Sequence, residues 1–402
     1  MKCTPRIVLA TLLLPLLAGD VRAGDVTSQF PDGKLLLHGS GTADVLTLDK
    51  GPGATDVLVT PGTDTTLDGA TDPVLFEDVV ELRLFLKGGA DEATLNDVAL
   101  TGDFVFEGQG DDDHVTLSGC TMEFDARIAL GPGNDTVAVN GSTIVGELRV
   151  LGSSGDDSVQ VGGASDIGKL KAPLASGENA LHVTGNCTLG DLDVTGGSNG
   201  NSLELATCTI SGDAQASFGF GENQFHLSSV TVGEDLDLRS GGAGDSLTID
   251  DASVGQRLKA ALHGGDNLAD FTDISIGDDL KYTGGGGSEG VHVSNVTAAE
   301  LDLTLGGGDD VCSITNLAHV TGPITVSSAG GSDVLSTNTL TADGTVKYST
   351  GGGDDVVTLA DSTFNSDVKI FTGGGDDVIS LPGSTVAGAT LIDSGPGDDT
   401  EP

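Results

Sequence analysis

Tryptophan is absent from this 402-residue sequence, tyrosine occurs twice, and aromatic residues together make up 3%. A saccharide cleft ordinarily relies on exposed rings, so their scarcity counts against one. Cysteine occurs five times. Cys3 sits in the first residues, and Cys120, Cys187, Cys208 and Cys312 are too few to staple a chain of this length. Basic residues are scarce as well, 17 against 61 acidic ones, which argues against nucleic acid as a partner. The one continuous apolar run, Ile7–Ala18, falls short of the ~20 residues that cross a bilayer, so no transmembrane segment is expected. Lys2 and Arg6 precede that run and the small residues Val21 and Ala23 follow it, the pattern of an export signal over residues 1–23. No lipobox surrounds a cleavage-site cysteine. The mature chain is therefore expected to start at Gly24 and to be secreted, outside the cell or at its surface. Without Lys2, Arg6, Asp20 and Arg22 it holds 60 acidic and 14 basic residues, a net charge of about −46. A charge of that size implies either disorder or a cation bound in number. Hydrophobic residues make up 37% and recur with a strict period, which excludes disorder.

The period is 22 residues. Ala93, Val115, Val137, Val159, Leu181, Leu203, Phe225, Leu247, Ala269 and Val291 each open an apolar-x-apolar run at that spacing, and the series continues through Cys312, Leu335, Val357 and Ile379 with one step of 21 and one of 23. Such alternation predicts a strand with one buried face. A second run follows about eleven residues later, as in Leu148-Arg149-Val150 and Val368-Lys369-Ile370, with an apolar-glycine corner between them such as Val254-Gly255. Units this small cannot close a core alone and must stack, each strand on its counterpart one repeat away. The expected fold is all-β, a right-handed parallel β-helix of about fourteen rungs over residues 82–402, a rod about 65 Å long at ~4.8 Å per rung. Residues 24–81 fit the period poorly and are expected to form an N-terminal cap with divergent first rungs, because a solenoid needs its ends protected.

Each rung ends in an acidic glycine turn, best preserved at 131–135, 306–310, 351–355, 373–377 and 395–399. Carboxylates stacked at ~4.8 Å repel by ~3 to 4 kcal/mol per pair near a protein surface and by under ~1 kcal/mol in water. A divalent cation with oxygen ligands would turn that repulsion into a bridge. The candidate ligands are Asp112, Asp113, Asp135, Asp156, Asp157, Asp309, Asp310, Asp333, Asp354, Asp355, Asp376, Asp377, Asp398 and Asp399. The competing reading is that aspartate after glycine simply suits a turn and keeps the rod soluble. The central turns carry fewer charges, at Glu178-Asn179, Asn201, Glu222-Asn223, Asp245 and Asp266-Asn267. The turns resemble the hemolysin-type calcium-binding repeat, with its apolar position on Val137, Cys312, Val357 and Ile379. The resemblance covers about nine residues in each rung and implies Ca2+ held between successive turns. It departs from that family in carrying the motif at one edge of the coil only.

The register also sets up outward columns. One holds Arg83, Arg127, Arg149, Lys171, Lys259, Lys281, Lys347 and Lys369, either a basic stripe for an acidic glycan or cell-surface polymer or a solvated face offsetting nearby acid. Another brings His182, Glu204 and His226 onto adjacent rungs, either as metal or acid–base groups or as plain surface residues. Cys187 and Cys208, 21 residues apart in matching corners, are placed for a disulfide or for two buried thiols. Tyr282 and Tyr348 are expected to point inward. Uniform rungs without a catalytic cluster point to a non-enzymatic structural or adhesive surface or matrix protein, able to self-associate through its rod ends. The alternative is a polysaccharide lyase, epimerase or hydrolase, against which stand the missing aromatics and the absence of insertions long enough to wall a cleft.

Overall fold

The computed structural model describes residues 24–317 and 319–402, and the expected export signal lies outside the described residues. Strands are the only regular elements among the described residues. From Glu81 onward they pair in parallel, and the column that opens each rung runs unbroken from Ala93 to Ile379. The short step falls between Val291 and Cys312 and the long one between Cys312 and Leu335. The fold is thus a parallel β-solenoid.

Alternation sends every second side chain inward, where Leu181, Val183, Leu203 and Leu205 are at most 1% exposed. Phe104, Phe106, Phe225, Phe271 and Phe364 are the bulky fillers, and Phe218 stacks on Phe225 with ring centroids 5.0 Å apart. Tyr282 and Tyr348 point inward as the register requires, and the Tyr348 hydroxyl bonds that of inward-facing Thr337.

The corner between the two main strands carries a third, short strand. Cys208–Ile210 pairs with Val230–Val232, and its outward column reads Thr188, Thr209, Thr231, Ser253, Ser275 and Thr297. Backbones pass closely here: a Cβ on Gly255 would lie 1.9 Å from the Gly233 carbonyl oxygen. The residue that leads into this corner adopts the left-handed conformation on rung after rung, at Asn186, Thr207, Ser229, Asp251, Asp273 and Asn295. Asparagine and aspartate tolerate that region, whereas a β-branched residue is strained in it. Thr207, at φ 53°, is such a misfit, as is Thr339 at φ 58° further along the column. Thr207→Asn is expected to raise stability by about 1 kcal/mol in denaturant unfolding. A loss of stability would show that the threonine is held by something other than backbone geometry.

Within residues 24–81, Lys34–His38 lies in register on Glu81–Phe85 and Val45–Lys50 lies on the strand Glu92–Asn96, at a 47-residue step. Val57–Pro61 and Val74–Phe76 fill the intervening chain. They pair antiparallel, as do Asp25–Gln29 and Lys34–His38, and antiparallel pairing among the described residues is confined to this segment. The turn edge thereby begins at Asp44, one step before Asp91.

Candidate functional site

The turn closing each rung ends in two residues with opposite environments. In the acidic pairs the first is exposed and the second buried, as in Asp112 and Asp113, Asp156 and Asp157, Asp354 and Asp355, and Asp376 and Asp377, while in the last pair Asp399 is half-buried. The buried residues stack into one inner column along the whole rod: Asp44, Asp91, Asp113, Asp135 and Asp157, then Asn179, Asn201, Asn223, Asp245, Asn267 and Glu289, then Asp310, Asp333, Asp355, Asp377 and Asp399. In this column Oδ1 of one residue accepts the backbone N–H of its counterpart on the preceding rung, except at Glu289, whose Oε1 accepts from Asn267 Nδ2. The Asp91 N–H reaches Asp113 Oδ1 at 3.0 Å, Asp113 reaches Asp135 at 2.7 Å, and Asp310 reaches Asp333 at 2.9 Å.

The outer residues lean the other way. Asp112 Oδ1 accepts from the Asn134 N–H on the following rung at 2.7 Å, and Asp156, Asp309, Asp354 and Asp376 do the same. The fourteen candidate ligands thus separate into two ladders. Asp113, Asp135, Asp157, Asp310, Asp333, Asp355, Asp377 and Asp399 lie inside, and Asp112, Asp156, Asp309, Asp354, Asp376 and Asp398 lie outside.

The second oxygen of the inner carboxylates is the chemically telling atom. In the asparagine rungs that position is an amide nitrogen, and it donates to turn carbonyls. Asn223 Nδ2 reaches Gly219 O at 3.0 Å and Gly221 O at 2.9 Å, and Asn201 Nδ2 reaches Asn199 O at 2.6 Å. The corner that receives this group is therefore lined by acceptors. In two aspartate rungs a serine hydroxyl supplies the missing donor, Ser240 to Asp245 at 2.5 Å and Ser328 to Asp333 at 2.6 Å. Among the described residues one carboxylate oxygen has no hydrogen-bond partner in Asp44, Asp91, Asp113, Asp135, Asp157, Glu289, Asp310, Asp355 and Asp377, each at most 2% exposed. At Gly108 the room for this oxygen depends on the missing side chain, since a Cβ there would overlap Asp113 Oδ2.

A buried carboxylate facing carbonyls disfavours its own charge. Burial, reinforced by neighbouring carboxylates, pushes Asp91 up to about 8 and Asp113 and Asp157 up to about 7. The same desolvation raises Asp44, Asp135, Asp245, Asp310 and Asp355. Among the described residues no three Asp, Glu, His or Cys side chains converge closely enough to cage a metal by themselves. An ion at the inner column would therefore draw on turn carbonyls as well as carboxylates.

Outside the turns, His182 Nδ1 lies 2.7 Å from Glu204 Oε2, both on the solvated face, and His226 follows on the next rung in register. Cys187 and Cys208 are buried free thiols, as are Cys120 and Cys312. The basic column stands as the period demands, yet most of its members are engaged: Arg83 with Glu81, Arg127 with Glu107, Lys171 with Asp193 and Lys281 with Asp302. No protein-family model, curated protein or solved structure matches the chain.

Proposed function

We propose that the chain is a secreted structural rod of a cell surface or matrix, stiffened by Ca2+ along its inner turn ladder and presenting repeated outer faces for adhesive contact. The observation that carries this reading is the row of buried carboxylate oxygens without a donor, set in a corner whose carbonyls an amide bonds on neighbouring rungs. Such a corner is rich in oxygen and poor in hydrogen, which suits a hard divalent cation of flexible coordination. On the Asp113 rung, by equivalence with the asparagine rungs, the groups that would hold it are Asp113 Oδ2 and the carbonyls of Gln109 and Asp111. The length of the unpartnered row favours many equivalent weak sites over a single strong one, in keeping with a spacer that meets its partners many times along its length.

Equilibrium dialysis of the mature chain against calcium tests this directly. Several ions per chain are expected at millimolar calcium, with magnesium a poor competitor because it demands a tighter octahedral shell. A chain that binds none at that concentration is a passive acidic rod.

A further inference from the structure

The outward face of the second main strand carries a cleft of about 480 Å³ near the middle of the rod, walled by Arg239, Arg257, Lys281, Asp279 and Glu300, with Lys259 among its lining residues. Four of the chain's few cations meet here. Three are already bound. Arg239 forks onto Asp237, Nε to Oδ1 at 2.8 Å and Nη2 to Oδ2 at 2.5 Å. Arg257 holds Asp235 at 2.6 Å, and Lys281 holds Asp302 at 2.7 Å. Lys259 lies in register between Asp237 on one rung and Lys281 on the next, and it is half-buried. Among the described residues no carboxylate comes within ion-pair distance of its ammonium group, because the carboxylates nearest in the ladder are committed to the arginines and to Lys281. Asp279 and Glu300 are likewise without a hydrogen-bond or ion-pair partner through their side chains among the described residues. Fixed pairs thus frame one unmatched cation and two unmatched anions in a single concavity.

We infer that this cleft is a binding site for a uronic-acid oligosaccharide, with Lys259 receiving the sugar carboxylate and Asp279 and Glu300 accepting sugar hydroxyls. A cleft of this volume falls within the range of small-ligand sites. Its mixture of charges selects the ligand class. A chain with several sulfates or phosphates per unit would be repelled by Asp279 and Glu300 and by the rod's net charge more strongly than one with a single carboxylate per ring. A neutral sugar would leave Lys259 unmatched. A uronate carries one carboxylate per ring among several hydroxyl donors, which matches one free ammonium beside two free acceptors. Recognition here rests on charge-assisted hydrogen bonds and needs no aromatic platform. The inference does not depend on calcium binding at the turns, which lie on a different edge of each rung.

The test is calorimetric titration of the mature chain with tetragalacturonate, its fully methyl-esterified form and a sulfated tetrasaccharide. Tetragalacturonate is expected to bind, esterification and Lys259→Ala each to weaken it by at least about tenfold, and Lys259→Arg to retain most of the affinity. Lys369→Ala, in the same column but outside the cleft, is expected to leave binding unchanged, and thermal unfolding of Lys259→Ala should match the parent because the side chain lies on a solvated face. Lys259→Gln serves as the second variant should the alanine form misfold. Absence of tetragalacturonate binding, or binding that is indifferent to both Lys259→Ala and Lys259→Gln, overturns the assignment. Tighter binding of the sulfated sugar overturns it in favour of a general polyanion surface.

Discussion

Removing calcium at pH 8 is expected to lower the melting temperature of the mature chain steeply, while removing it near pH 5 should change little. The reason lies in what would fill the acceptor-lined corner on the Asp91, Asp113 and Asp157 rungs. With the folded values raised by burial, a proton would do so below neutrality: a neutral carboxyl would donate to the turn carbonyls as the asparagine amide does. The folded values of Asp91, about 8, and of Asp113 and Asp157, about 7, stand above the unfolded value of ~3.9. A folded value raised in this way contributes stability that is complete below pH ~4 and is lost as pH rises through the folded value. The calcium-free rod should therefore weaken progressively from about pH 4 to about pH 8. On the proposed reading a cation would replace the proton above that range, and each site filled at a hundredfold excess over its dissociation constant would restore about 2.7 kcal/mol. Calcium binding at pH 7 should accordingly release protons, measurable as a buffer-dependent heat. A calcium-free rod that grows more stable between pH 5 and pH 8 would mean that the inner carboxylates are ionised and satisfied.

The triple variant Asp91→Asn, Asp113→Asn and Asp157→Asn is expected to be more stable than the parent at pH 8 without calcium, and to bind fewer ions. Each substitution keeps the Oδ1 acceptor for the preceding rung and replaces an unpartnered oxygen by a donor of the same shape, the arrangement already present at Asn179, Asn201 and Asn223. Satisfying a buried polar atom contributes about 1 to 3 kcal/mol per site. Asp113→Ala should do the reverse, because it strips the Asp91 N–H of its acceptor inside the rod and costs a similar amount. Chemical unfolding of the two variants at pH 8 in chelator separates the cases. If the triple asparagine variant is destabilised like the alanine one, the corner is not short of donors, and the basis for a cation there disappears.

Much of this molecule was legible before its coordinates, because a 22-residue period maps position directly onto place. The core column from Ala93 to Ile379, the inward tyrosines and the basic ladder follow from that arithmetic alone. Two features did not follow. Asp112 and Asp113 are neighbours of one type, so composition could not reveal that one reaches forward in solvent and the other backward inside the wall. The central asparagines read as decay of an acidic motif, when in fact Asn179, Asn201, Asn223 and Asn267 continue the inner ladder with a donor built in. Extending the same column by the same step would have reached Asp91 and Glu289. Asp44 lay hidden because the antiparallel insertion lengthens its step to 47 residues. The corner strand was obscured by its brevity, since two or three residues carry too little alternation to stand apart from a turn.

The opposite lean of the two turn ladders has a mechanical consequence. Where both ladders run, as from Asp113 to Asn179 and from Asp355 to Asp399, neighbouring turns are joined through an inner side chain in one direction and an outer one in the other, so two such rungs cannot part without severing bonds that point in both directions. Tension along the axis is then shared by a seam of short struts at one edge of the rod. Such a filament should yield abruptly under pull, with little gradual stretching beforehand.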